Sequence, residues 1–140
     1  MACDCKRCSD VEHKYDIYWA AGLFTDSERR YNAECVARLE SAGKKVFLPQ
    51  RDAGELGRDG DKYAIRMKDV EGIRSSRCIV ATLEGRAYDE GTVYEIGYGE
   101  ALGMPVHILH SDVRSIPKNA MLCTCAWYTN IDELFARWEL

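Results

Sequence analysis

CIVATLEGRAYDEGTVYEIGYGEALGMPVHIL, residues 78–109, decides the fold. It opens on CIVATL (78–83), a continuously apolar run that reads as a strand buried on both faces. Asp89 to Gly91 turn the chain, a helix follows from about Thr92 to Gly103, and VHIL (106–109) is a second strand. Strand, helix and strand with short links call for a parallel pair joined by a right-handed crossover.

The same alternation extends in both directions. DIYWAA (16–21) is aromatic and β-branched, stops at Gly22, and reads as strand one. Thr25 with Glu28 is a capping box, and Tyr31, Cys35 and Leu39 repeat at helical spacing until Gly43. KVFL (45–48) before Pro49 is strand two, and RDAGELGRDGD (51–61) is a polar, glycine-bearing loop, expected to be mobile. Tyr63, Met67 and Val70 mark a helix from about Asp61 to Ser76. Ile131, Leu134, Phe135 and Trp138 mark a terminal helix, and WY at 127–128 adds a fifth strand. The fold class is therefore α/β: a single-domain, flavodoxin-like, doubly wound parallel sheet of about five strands with helices on both faces. Ligands in such sheets sit at the carboxyl ends of the strands, so the turns after strands one and three are where chemistry is expected.

At 140 residues, 46% apolar and 30% charged, the chain fits one globular domain, read here as 16–140 behind a cysteine-containing extension over 1–15. A net charge of −4 argues against nucleic-acid binding, which needs clustered Lys and Arg. No run approaches the roughly 20 apolar residues of a membrane span, and the N-terminus lacks an apolar signal region, so the expectation is a cytoplasmic protein with no membrane partner. Seven cysteines cannot all pair within one chain, and most are expected as thiols. Cys3, Cys5 and Cys8 could hold zinc together with Cys123 or Cys125. Without a second close pair of ligands, the reading is a thiol-bearing tail and no metal.

Three carboxylates need explaining. Asp69 lies in line with Ile65 and Ile73 at four-residue spacing, on an otherwise apolar helical edge. Pattern alone favours a rotated helix with Asp69 capping or salt-bridged at the surface. Glu95 falls near the first turn of the helix after Gly91, where the macrodipole favours a negative charge and would keep it ionised. Such glutamates are also common purely for helix stability, but this one follows the carboxyl end of a buried strand. Asp89 is a turn former in the same junction. Two acids at one ligand can divide glycosidic work, one attacking the anomeric carbon and one protonating the leaving group.

IYWAAGLFTD (17–26), KDVEGI (68–73), DEGTVYEIGYGEALGMPV (89–106) and KNAML (118–122) together resemble the nucleoside 2-deoxyribosyltransferases, in order from Asp16 to about Leu122. The resemblance implies Glu95 as nucleophile, Asp89 and Asp69 as the pair that holds the base and manages its protonation, and Tyr18 as hydrogen-bond donor to the nucleophile. It implies that Gly22 and Phe24 line the nucleoside cleft, and that Asn119 and Met121 complete the sugar pocket of a neighbouring subunit. It further implies a homo-oligomer, dimer or hexamer, acting on a 2′-deoxynucleoside and a free nucleobase without cofactor. Two other functions are weighed: a nucleoside 5′-monophosphate N-glycosidase of the same fold, and a non-catalytic nucleoside- or nucleotide-binding module. The first needs donors around a phosphate, and the turn after strand one offers only Thr25 and Ser27.

Overall fold

The computed structural model describes residues 12–54, 61–114 and 118–138. In chain order the elements are β1 (Tyr15–Ala20), α1 (Asp26–Ser41), β2 (Val46–Phe47), α2 (Pro49–Asp52), α3 (Lys62–Arg74), β3 (Ser76–Thr82), α4 (Glu90–Ala101), β4 (Val106–Leu109), a 3-10 turn (Ala120–Leu122), β5 (Ala126–Tyr128) and α5 (Ile131–Arg137). The five strands form one sheet in the order β2-β1-β3-β4-β5, with every pair parallel. The chain leaves β1 toward β2 on one side and returns to β3 on the other, so a crevice opens at the carboxyl ends of β1 and β3.

Alternation along β1 divides the core into two layers. Ile17 and Trp19 face the layer built with Cys35, Val36 and Leu39 of α1 and Ile131 and Leu134 of α5. Tyr18 and Ala20 face the layer built with Ile73 of α3 and Ile96 of α4. The backbone of β1 therefore delivers the Tyr18 ring beneath the two helices that carry the acids.

Three expectations shift. α4 begins at Glu90 rather than Thr92, because the Asp89 carboxylate caps it, accepting the Thr92 N–H and the Thr92 hydroxyl at 2.8 Å each. The loop from 51 is shorter than expected, since Pro49 starts α2 and carries Arg51 and Asp52 into a helical turn. Residues 55–60 of that loop lie outside the described residues, as do Cys3, Cys5 and Cys8 of the extension. Finally, α3 is rotated from the stripe its most hydrophobic residues suggested. Tyr63 and Met67 are exposed, and Ile65, Asp69, Gly72 and Ile73 form the inward edge. Gly72 is the reason: a Cβ there would stand 2.8 Å from the Phe47 ring, so this edge alone lets the helix lie flat on the sheet.

Gly99 performs the same service for α4. A methyl at that position would meet Ile79 Cδ1 at 2.2 Å, and Ile79 is fully buried. Gly99→Ala is expected to cost ~1–3 kcal/mol by overpacking. The measurement is a urea midpoint that falls with an unchanged slope; an unaltered midpoint would mean that α4 is not clamped to β3.

Candidate active site

The turn after β1 is fixed from both sides before any ligand arrives. Thr25 caps α1 and accepts the Glu28 N–H at 3.2 Å. In return Glu28 Oε2 accepts the Thr25 N–H at 2.8 Å and the Phe24 N–H at 2.9 Å. Partial burial raises the Glu28 carboxyl, but these bonds outweigh it and hold it below its ordinary range. Asn32, buried on α1, accepts from Trp19 Nε1 at 3.0 Å and donates to the Gly22 carbonyl at 2.9 Å and to Gln50 at 3.1 Å. A Cβ on Gly22 would stand 2.7 Å from Glu28 Oε1, so glycine is needed here to admit the capping carboxylate.

Beside this turn lies a cavity of ≈ 260 Å³, walled by Leu23 and Phe24 of the turn, Ile65 and Asp69 of α3, and Asp89 and Glu95 at the start of α4. Gly22 is not among its lining residues. Phe24 is 65% exposed and stands at the mouth, free of the core. Its lining also includes Lys62 and Arg66, which sequence reasoning passed over. The signal was present: residues 62, 66 and 69 share one face of a helix by three- and four-residue spacing.

At the floor, the Tyr18 hydroxyl donates to Glu95 Oε1 at 2.8 Å. The Tyr18 ring is fully buried and stacks on Phe47, with centroids 5.4 Å apart and planes 11° from parallel. Burial, together with the charges of Glu95 and Asp69, raises the Tyr18 phenol well above its ordinary value, so it remains an O–H donor. Glu95 sits in the second turn of α4, not the first, because the helix starts earlier than expected; the first-turn acid is Glu90. The macrodipole therefore does not govern Glu95. Its carboxyl stands at about 8, the net of burial, which pushes it up, donation from Tyr18, which pulls it part of the way back, and the charges of Asp69 and Asp89, which add to the rise. Asp69 is half-buried, its Oδ1 has no hydrogen-bond partner, and burial raises it to about 6. The expected surface salt bridge at Asp69 is absent among the described residues. With Asp69 at about 6 and Glu95 at about 8, one proton remains on the two carboxyls near neutral pH and rests mainly on Glu95, so an ionised Glu95 beside a protonated Asp69 is the minor form.

Asn119 and Met121 lie outside this cavity. Asn119 caps the 3-10 turn by accepting the Met121 N–H at 2.9 Å, and Met121 is 81% exposed. Among the described residues no three His, Cys, Asp or Glu side chains converge as a metal-ligand set, and Cys35, Cys78, Cys123 and Cys125 are free thiols. No described helix is long and apolar enough to cross a membrane.

A family-wide sequence profile, described as "Nucleoside 2-deoxyribosyltransferase", matches residues 17–131. No curated protein sequence matches the chain. Among solved structures it is similar to a 2-deoxyribosyltransferase of Bacillus psychrosaccharolyticus, with 22% identity, TM-score 0.72, and coverage of 85% of this chain and 89% of that one. It is similar to a 2-deoxyribosyltransferase of Leishmania mexicana at 21% identity and TM-score 0.69, covering 88% and 96%. A CMP N-glycosidase of Clostridium botulinum shares the fold at 17% identity and TM-score 0.59, covering 89% and 99%. At such identities these likenesses establish the fold alone.

Proposed function

The chain belongs to the nucleoside 2-deoxyribosyltransferase family, and on that premise we propose that it exchanges the base of 2′-deoxynucleosides by double displacement at Glu95. The observation that carries this reading is the hydrogen bond from Tyr18 to Glu95 on the floor of a cavity that Asp69 also lines.

In the first half-reaction a Glu95 carboxylate oxygen attacks C1′. The C1′–N bond breaks, its electron pair goes to the base nitrogen, and Asp69 gives that nitrogen its proton. A second base reverses the steps: Asp69 takes its proton as its nitrogen displaces Glu95, and configuration at C1′ is retained. Asp89 anchors the base rather than protonating it, since its Oδ2 is committed to Thr92. The exposed positions of Asn119 and Met121, outside the cavity of their own chain, support a homo-oligomer in which they complete a neighbour's sugar pocket.

An unphosphorylated substrate is favoured by the turn after β1. The N–H groups of Phe24 and Thr25 at the start of α1, where a 5′-phosphate would bind, already hold the Glu28 carboxylate. Incubation with deoxyinosine and adenine tests the reading: new deoxyadenosine supports transfer. Deoxyribose alone would make the chain a hydrolase, and no turnover of nucleosides or nucleotides would make it a binding module.

The pH profile provides a second check. Below about 6 both Glu95 and Asp69 are protonated and the nucleophile is lost; above about 8 both are ionised and the acid is lost; between them turnover comes from the fraction that carries the one remaining proton on Asp69. A bell-shaped kcat/KM with limbs near those values is expected. Tyr18→Phe removes the donor that pulls the Glu95 carboxyl down, so the upper limb should move to higher pH and the maximum rate fall by ~10-fold or more. A profile whose upper limb ignores this substitution would detach Tyr18 from Glu95.

A further inference from the structure

We propose that the outer end of the cavity is an anion subsite for the base itself. Lys62 and Arg66 receive a carboxylate or similar anionic substituent on the heterocycle, so nucleosides of acidic bases are this chain's preferred substrates. The proposal rests on reading the cavity as a nucleoside site.

Lys62, Ile65, Arg66 and Asp69 all line the cavity from α3. At 1.5 Å per residue, Arg66 stands ~4.5 Å and Lys62 ~10 Å outward from Asp69 along the helix axis. Ile65 of α3 and Leu23 and Phe24 of the turn after β1 also line the cavity and supply apolar surface suited to a flat ring. A ring seated there has Asp69 at its inner edge and the two cations at its outer edge. The inner end already carries Asp69, Asp89 and Glu95, which repel an anion. Only the outer end accepts negative charge.

Arg66 is also oriented for the task. Its guanidinium stacks over the Tyr94 ring at 5.3 Å and donates to the Tyr94 hydroxyl at 3.2 Å, which fixes the plane and leaves other N–H donors open to a carboxylate. Among the described residues neither Lys62 nor Arg66 pairs with an acid, although the chain as a whole is acidic at −4. A sugar-borne phosphate is the weaker candidate, because Glu28 occupies the turn that would hold one.

Calorimetric binding of uracil, 5-carboxyuracil and 6-carboxyuracil tests the subsite without requiring turnover. At least one carboxylated base should bind about 10-fold or more tighter than uracil. Lys62→Gln combined with Arg66→Gln should bring that ratio to near one, whereas Lys68→Gln, exposed on the same helix, should preserve it. A ratio near one in the unaltered chain, or a ratio that survives the double substitution, would overturn the proposal. So would a gain for deoxyuridine 5′-monophosphate over deoxyuridine that the double substitution erases, since it would place the anion on the sugar. Base exchange without a carboxylate preference removes only the subsite; a preference without any exchange removes only the transfer reading.

Discussion

Glu95→Gln is expected to lower deoxyribosyl transfer by at least ~10⁴-fold, since it deletes the atom that bonds to C1′, and at the same time to make the folded chain more stable. The second effect follows from linkage. Glu95 releases its proton at about 8 in the folded chain against an ordinary value of 4.5. Between those values the folded state holds more protons than the unfolded one, so its stability falls as pH rises through that window and stays lower above it. Glutamine fills the same space without charge and still accepts from Tyr18. Its advantage should be absent below about pH 4.5, grow toward pH 8, and level off at up to about 5 kcal/mol. Thermal unfolding at several pH values, beside a transfer assay, reads both effects. Loss of transfer without a pH-dependent gain would mean that Glu95 is not a strained, buried acid. Retention of transfer within tenfold would dismiss it as nucleophile, as would failure to find deoxyribose on this side chain by mass spectrometry of a quenched reaction.

Asp69→Asn is the second large effect, a loss of ~10²–10³-fold with ordinary bases, in the range of general-acid removal. Asp69 is chosen over Asp89 on geometry: its Oδ1 is buried and unpartnered, while Asp89 spends Oδ2 on the Thr92 cap. The deficit should shrink below ~10-fold for a deoxynucleoside whose base is acidic enough to depart as an anion, because protonation is then unnecessary. The alkaline limb of the pH profile should also disappear, leaving only the ionisation of Glu95. An equal loss with both leaving groups would assign Asp69 to binding and move proton transfer elsewhere.

The strand and helix order was legible because each element carries its own period and its own stop, from CIVATL before the Asp89 turn to Gly43 after α1. The facing of α3 was not. Tyr63, Met67 and Val70 outweigh Ile65 and Ile73 in apolar surface, and what decided the rotation was the absence of a side chain at Gly72 against Phe47, a contact between segments that spacing does not encode. The same rotation places Asp69 and Arg66 at the cavity. Glu95 shows the opposite case: its position was read from resemblance, but its proton affinity was misjudged. The Asp89 cap starts α4 two residues earlier, which puts Glu95 in the second turn beyond the dipole, and burial on the cavity floor raises its carboxyl. The resemblance implies Gly22 as a wall of the nucleoside cleft, and in the structure it makes room for Glu28 instead.

Tyr18 and Trp19 are chain neighbours whose side chains point into opposite halves of the molecule, one toward Glu95 and one toward Asn32. Because sides alternate with each residue, inserting or deleting one residue within β1 would slide an indole under the nucleophile and a phenol beneath α1, breaking both polar contacts at once. Side chains on the solvent faces of α1 or α3 can drift one at a time, but the length of β1 is effectively quantised in steps of two.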